Sequence, residues 1–557
     1  MVIRFANGYV RFITQDDREQ PTVQQQRGGR RVATAREMAR EEEDSWQVVD
    51  ETVQLEERFR FRPTKPPGAQ VNLDENSTVI DSFLLLFSET IADKLLSTIN
   101  DYARQKLAQN LPARRHSLYN CWVPVTHSEL FKFLAVLISM GIDKRPSIKA
   151  YWTTDPAEEC KWYSNMFQRN RFEAIYHTML HISKPGSEGK AKVEPFLNSL
   201  VQSFQNAFYP YEELSIDEMV IGYRGTWKHK MYNAAKPSKY HIKTFGLCDS
   251  ITGYVYNILT YFGRETSYNP ELDSDCGEAV KVFEYLLQNL GLGHHIFADR
   301  YYTSMKLIRY LQTRSTHYTG TVNTRRVGFP TDIRDQTLRL EHRKSKTFLS
   351  KDKDLLCCAW RDKKAKNPCV LVSTKLGCEQ VEVERGRQRE KVKMPVLVRS
   401  YNMSMNGCDR LDQAVSYYGQ YGRKTVKWWK RIFLWLLEVT QVNAHILYCL
   451  SHPGKPLPLL DYKRRLRSQL EAKAATLCYD DPSSQGRGRP SKVPDIERLS
   501  HKRHLVVHKS ADRNCTVCST TAKRRRTSFY CSTCNVYLHA KDCFAKYHAR
   551  DNGAGDS

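Results

Sequence analysis

The chain has 557 residues, 41% hydrophobic and 26% charged, with 86 Lys+Arg against 61 Asp+Glu and a formal net charge of +25. That length exceeds what one hydrophobic core fills, so two to four folded units with polar tails are expected. No signal-peptide core follows Met1-Val2-Ile3-Arg4 and no run of about 18 uncharged apolar residues occurs, so secretion and membrane spanning are excluded as expectations. The basic excess is densest toward the C-terminus, in Lys463-Arg464-Arg465-Leu466-Arg467 and Lys523-Arg524-Arg525-Arg526. It points to a polyanion, nucleic acid first, and runs of this kind also serve as nuclear-import signals, which makes the nucleus the expected compartment.

In chain order, residues 1–75 hold Gln24-Gln25-Gln26-Arg27, Glu41-Glu42-Glu43-Asp44 and Pro63-Thr64-Lys65-Pro66-Pro67, a composition predicting a disordered tail. Residues 76–205 predict a helical domain. Ile91, Leu95, Leu96 and Ile99 recur at helical spacing, Ser128-Glu129-Leu130-Phe131 opens a second helix to Gly141, and a third lies around Phe172 to Ile175. From 206 to 330 the pattern turns to short β-type runs at 215–221, 244–248, 254–261, 295–298 and 318–322. Helices at 277–290 and 304–311 interrupt them, which predicts an α/β sheet covered by helices. Residues 331–400 read as a β-rich insertion with strand-like 355–360, 369–373 and 396–399. Helix resumes at Asp409 within 401–450, where Ile432 to Leu437 is apolar enough for core. Residues 451–500, with Pro453, Pro456, Pro458 and Gly486-Arg487-Gly488-Arg489-Pro490, read as a basic linker. Arg487 and Arg489 either enter an A/T-rich minor groove or simply belong to that linker. A small cysteine-rich domain closes the chain at 501–550.

Asp217 and Asp299 punctuate apolar runs that read as buried strands, where an ionised carboxylate is costly unless a metal or a cation meets it. Asp409 and Asp412, three apart on a helix, project from one face. By spacing alone the better reading of these four is as caps and surface charges. Arg224, Lys243 and Arg300 either steady phosphate oxygens or pair with Glu218, Asp249 or other acids. The run Tyr417-Tyr418-Gly419-Gln420-Tyr421-Gly422-Arg423-Lys424 has the mix that stacks on unpaired bases while Arg423 and Lys424 meet phosphates.

Most of the 16 cysteines are scattered, as expected of free thiols in a reducing compartment. Five fall between 515 and 543. His504, Cys515, Cys518, Cys531, Cys534, His539, Cys543 and His548 supply eight ligands, which predicts two interleaved, closed, structural zinc sites, with His508 as the alternative to His504. A plant-homeodomain finger would need a further Cys-x2-Cys pair, and no cysteine follows Cys543.

Ser215-Ile216-Asp217-Glu218 with Tyr223-Arg224-Gly225, Asp299-Arg300-Tyr301-Tyr302-Thr303-Ser304, Gly320-Thr321-Val322 and Tyr401-Asn402 through Gly407, Asp409, Asp412 and Gln413 resemble the piggyBac transposase family. The likeness continues through Arg423-Lys424, Trp428 and Asn443 and spans roughly residues 79 to 549. It implies an RNase H-like catalytic core in two parts, 206–330 and 401–450, split by the insertion, with dimerisation helices in 401–450 and the helical domain serving dimerisation and DNA binding. It implies a DDD-type transposase whose Asp217, Asp299 and Asp409 hold two Mg²⁺ per active site, with Asp412 a further required acid. It also implies double-stranded DNA with terminal inverted repeats, a hairpin end, a TTAA target, a homodimer and two zincs supporting transposon-end binding. His539 departs from the family's usual Cys. Two rivals are a domesticated, catalytically silent DNA-binding derivative, against which the intact aspartates weigh, and a protein-interaction module.

Overall fold

A computed structural model describes residues 3–4, 10–11, 46–110, 122–333, 338–385, 389–419, 425–479, 504–520 and 523–548. They fall into two compact units, one taking in residues up to Asn76 with 197–417 and 422–456, the other residues 77–196, 418–421 and those from Leu457 onward.

The first unit is a mixed α/β fold on a ten-stranded sheet. Its strands are β1 (Trp46–Val49), β2 (Glu213–Gly222), β3 (Met231–Tyr232), β4 (Tyr240–Asp249), β5 (Val255–Thr260), β6 (His295–Ala298), β7 (His317–Thr321), β8 (Ser345–Ser350), β9 (Leu356–Trp360) and β10 (Cys369–Ser373). They lie in the order β1-β8-β9-β10-β7-β6-β2-β4-β3, with β5 also on β4. Among the described strands β6 alone is parallel to both its neighbours, β7 on one side and β2 on the other, and every other pairing is antiparallel. Parallel pairing needs crossovers, and α1 (Glu278–Leu286) and α2 (Met305–Thr313) supply them before and after β6. Val280, Phe283, Leu286, Leu307, Ile308 and Leu311 on these helices share one core with Ile216, Phe245, Ile296 and Tyr318 from the sheet. β6 is buried at every position, as expected of an apolar run covered on both faces. Two further helices follow, α3 (Gly407–Tyr418) and α4 (Trp428–Ser451). By length and composition α4 passes for a membrane span, yet most of it is buried in the fold, Lys430, Arg431 and Glu438 included.

Three expectations change here. Residues 46–75 are not a featureless tail: β1 pairs with β8, the Trp46 indole donates to the Gly328 carbonyl at 3.1 Å, and Arg62 exchanges backbone hydrogen bonds with Leu292 at 2.8 and 3.1 Å. Phe59 and Phe61 pack on the rings of His317 and His294, with centroids 5.1 and 4.9 Å away. This strap lies so close that a Cβ on Gly291 or Gly293 would stand 2.3 or 2.2 Å from the Arg62 or Arg60 carbonyl oxygen. A few well-spaced aromatics anchor it, and a composition averaged over the whole tail hides them. The expected insertion, residues 331–400, sends β8, β9 and β10 into the same sheet beyond β7, and only the hairpin of Gln380–Arg385 with Glu390–Pro395 stands apart from it. Its last expected strand, 396–399, is instead the start of a helix, Val396–Ser404. Pro395 opens this helix at the N-cap, and Leu397 and Val398 are buried.

In the second unit the helix His127–Ile142 is buried almost throughout, its Thr126 cap accepting the Glu129 N–H at 3.2 Å. Against it packs Leu459–Tyr479, inside the stretch expected to be linker. Tyr462, Leu466, Leu470 and Ala474 recur every four residues and are fully buried. Basic residues between those positions, Arg464, Arg465 and Arg467 among them, mask the stripe in the sequence.

Candidate functional site

β6 ends beside the middle of β2. In their parallel register Ala298 pairs with Ile216, so Asp299, the first residue past the end of β6, comes next to Asp217, which lies within β2. The first turn of α3 docks against β2 and β4. A Cβ on Gly407 would lie 2.3 Å from the Ser215 hydroxyl oxygen and 2.8 Å from the Cys248 Cβ, and the Cys408 thiol is 3.5 Å from that of Cys248. This close seat carries Asp409 and Asp412 toward β2, where the Val220 N–H donates to Asp412 Oδ2 at 3.4 Å. Gly407→Ala is therefore expected to push α3 off β2 and β4, costing roughly 1–3 kcal/mol of stability, because the Ser215 hydroxyl can rotate away but the Cys248 Cβ is fixed to its strand. A thermal melt reads that cost, and an unchanged melting temperature would show that α3 docks more loosely.

The four carboxylates act on one another. Burial pushes Asp217 up to about 7, against the Glu218 N–H that donates to it at 2.7 Å and the charge of Lys236, while Asp409 and Asp299 push the same way as burial. Asp412 is likewise pushed to about 7, by burial first and by Asp409 and Asp217, with the Val220 N–H and Lys236 opposing. Asp299 is held in place by the Arg300 N–H at 2.5 Å and the Thr321 hydroxyl at 3.0 Å, and Tyr401 reaches that hydroxyl at 3.4 Å. Oxygen-only donors, partly buried and short of positive charge, form a set that a hard divalent cation would neutralise.

Among the expected phosphate ligands, Arg224 and Arg300 are exposed and make no side-chain ion pair among the described residues; Arg300 follows Asp299 directly, whereas Arg224 lies two residues beyond the end of β2, away from Asp217. Lys243 is a correction: its ammonium is buried, 2.9 Å from Glu218 and 4.7 Å from the Tyr301 ring centroid, and Glu218 holds it charged against the burial. It braces the residue next to Asp217 and has no surface to offer a phosphate. Arg423, Lys424, Arg487 and Arg489 lie outside the described residues. Sequence reasoning passed over Lys236, whose charge reaches both Asp217 and Asp412 from a loop with no motif of its own. The part Thr321 plays at Asp299 was also unread, although Gly320-Thr321-Val322 was the available signal.

The C-terminal segment folds as a three-stranded antiparallel sheet, Val506–Asn514, Arg526–Cys531 and Val536–Tyr537, followed by the helix Asp542–His548. It gathers two clusters, Cys515, Cys518, His539 and Cys543 in one and His504, Cys531, Cys534 and His548 in the other, with the ligand atoms of each cluster within 4.8 Å of one another. The sets interleave along the chain, and His504 takes the position left open between it and His508. The His548 Nδ1 bonds the Phe544 carbonyl at 2.8 Å, which leaves Nε2 turned to the Cys534 thiol at 3.4 Å. His539 stands 3.3 Å from Cys518 and fills the place of a fourth ligand.

A transposase family model described as Transposase IS4 matches residues 78–445. The chain is 26% identical over 486 residues to PiggyBac transposable element-derived protein 2 of Homo sapiens, covering 84% of this chain and 76% of that protein. It is 26% identical over 517 residues to PiggyBac transposable element-derived protein 3 of Homo sapiens, covering 90% and 81%. A piggyBac transposase, solved by cryo-EM as a synaptic complex with hairpin DNA, shares the fold with a TM-score of 0.63 at 21% identity, over 76% of this chain and 86% of that one. The matched span encloses all four aspartates, and the chain belongs to this transposase family, in its piggyBac branch.

Proposed function

We propose that the chain is a DDD-type DNA transposase with an RNase H-like core that excises a DNA element bounded by terminal inverted repeats and joins it to TTAA target DNA. The observation that carries this reading is the convergence of Asp217, Asp299, Asp409 and Asp412, two of them held near neutrality by burial and by each other. Asp217, Asp299 and Asp409 would hold Mg²⁺, two ions per site, and Asp412 completes the acidic set. When bound, such ions activate the attacking oxygen and neutralise charge at the reacting phosphate. The protein's own part is positional. The parallel pairing of β6 with β2 fixes Asp217 and Asp299, the α3 seat fixes Asp409, and the exposed guanidinium groups of Arg300 and, further along the bound strand, Arg224 would orient phosphate oxygens.

The two Cys/His clusters would each hold a structural zinc, and the domain they brace, with Lys523 to Arg526 on it, would recognise the transposon end. A homodimer working in the nucleus, with a hairpin on the excised end, completes the reading. The names of the relatives, element-derived proteins, favour one alternative, a domesticated DNA-binding protein that no longer cuts.

One comparison separates them: wild type against Asp299→Ala, each given Mg²⁺ and DNA bearing candidate terminal repeats. Strand cleavage by wild type alone is expected. Binding by both with cleavage by neither would leave only the silent binder standing.

A further inference from the structure

β2 and β4 extend past the carboxylates into a hairpin of which the chemistry above uses only Arg224 and Lys236. Residues 223–241 contain Arg224, Lys228, Lys230, Lys236 and Lys239 and no Asp or Glu. At its tip, where β3 pairs with the start of β4, Tyr232 stands directly across from Tyr240. Their ring centroids are 4.9 Å apart at 50°. Both rings are unusually open for tyrosine, 59% and 45% exposed, and Met231 beside them is 38% exposed. Lys228 pairs with Glu265 at 2.5 Å and Lys236 with Glu218 at 4.0 Å, while Lys230 and Lys239 make no ion pair among the described residues. Large side chains displayed together on a sheet edge beside such cations have the character of a binding surface for an anionic partner with flat apolar faces.

The two rings are not equivalent. The Lys230 ammonium, bonded to the Gly225 carbonyl at 2.9 Å, lies 5.3 Å over the ring of Tyr240. Tyr240 is thus braced by the cation and by its neighbour, and the pair is too close and too tilted to admit a base between the rings. Tyr232 keeps the open face. Lys239 is exposed and makes no ion pair among the described residues.

We propose that Tyr232, supported by Tyr240 and Lys230, is a stacking platform for an unpaired base of the DNA strand running to the aspartates, with Lys239 meeting its phosphate. Tyr240 is six residues along β4 from Gly246, which pairs with Asp217. That spacing is about 20 Å of strand, or roughly six stacked nucleotides from the reacting phosphate. The platform rests on the DNA-transposase reading for its substrate and adds to it a way of telling melted from paired DNA ends.

The test uses the full chain, Tyr232→Ala and Tyr232→Phe, with two probes. One is a duplex carrying a six-nucleotide single-stranded extension with 2-aminopurine at successive positions, the other a fully paired duplex of the same sequence. Wild type should favour the extended probe and quench 2-aminopurine at one position. Tyr232→Ala should lose about tenfold of that preference and the quenching, with paired-duplex binding kept, and Tyr232→Phe should retain all three. Equal binding of both probes by wild type, or an equal loss on both probes in Tyr232→Ala, overturns the platform. The two ideas fail separately: a chain that cuts DNA without quenching keeps the transposase reading and loses the platform. One that quenches and never cuts does the reverse.

Discussion

Asp217→Asn is expected to abolish DNA strand cleavage and, in metal-free protein above pH 7, to raise the melting temperature by a few degrees. The two effects share one cause. In the unfolded chain Asp217 has the ordinary value of 3.8, whereas in the fold burial and the neighbouring aspartates bring it to about 7. A group raised on folding contributes stability that is complete below its unfolded value and is lost as pH climbs through its folded one. Metal-free wild type should therefore weaken progressively between pH 4 and pH 8, and Asp412, also near 7, adds to the same slope. Asn keeps an oxygen for the Glu218 N–H and removes the charge, which recovers about 2–4 kcal/mol where the carboxylate would be ionised. It also removes a cation ligand, so cleavage should fall at least about a thousandfold. Melting curves from pH 5 to 8, with and without Mg²⁺, check the account. Magnesium should lift wild type most at the alkaline end and Asp217→Asn far less, and a melting temperature of wild type that rises with pH in the absence of metal would contradict it.

Stripping metal with a strong chelator, or replacing Cys531 by Ser, is expected to unfold residues 504–548 while the helix His127–Ile142 stays intact. The buried cluster of this small domain consists of Cys515, Cys531, Cys534 and Cys543 with Val536, Leu538 and Tyr547 as its buried apolar company among the described residues, and a half-buried Phe544 against it. Three such side chains fall well short of holding a three-stranded sheet by themselves, whereas structural zinc contributes about 10–16 kcal/mol. Metal analysis should find two zinc ions per chain. Amide exchange should show protection lost across Val506–Asn514 and Arg526–Cys531 on chelation, and protection that survives would mean the clusters are not what holds the domain.

The sequence discloses local patterns better than it discloses pairings. Asp217 and Asp299 are legible because a charge that punctuates an apolar run is costly to bury. Their adjacency is not, since it depends on β2 and β6 pairing across about 80 residues of chain, and periodicity says nothing about partners. The Cys-x2-Cys knuckles are visible for a chemical reason, thiols paired at chelating distance, yet which knuckle clusters with which histidine follows only from the sheet that separates them. Lys243 shows the opposite failure. Its charge suggests a phosphate, but β4 turns it inward onto Glu218, and facing direction in a strand covered on both sides leaves no trace in composition. The helix Leu459–Tyr479 was obscured because its apolar stripe is one residue in four among charges, a narrow signal beside three prolines just upstream.

The strap across the first unit sets a schedule for synthesis. Val48 finds its sheet partner in Phe348, 300 positions later (348 − 48), so the segment must wait for a strand made long afterwards. At 5–20 residues per second that wait is roughly 15–60 s. During it Trp46, Phe59 and Phe61 have no sheet to cover, and the edge of the nascent fold is open to other chains.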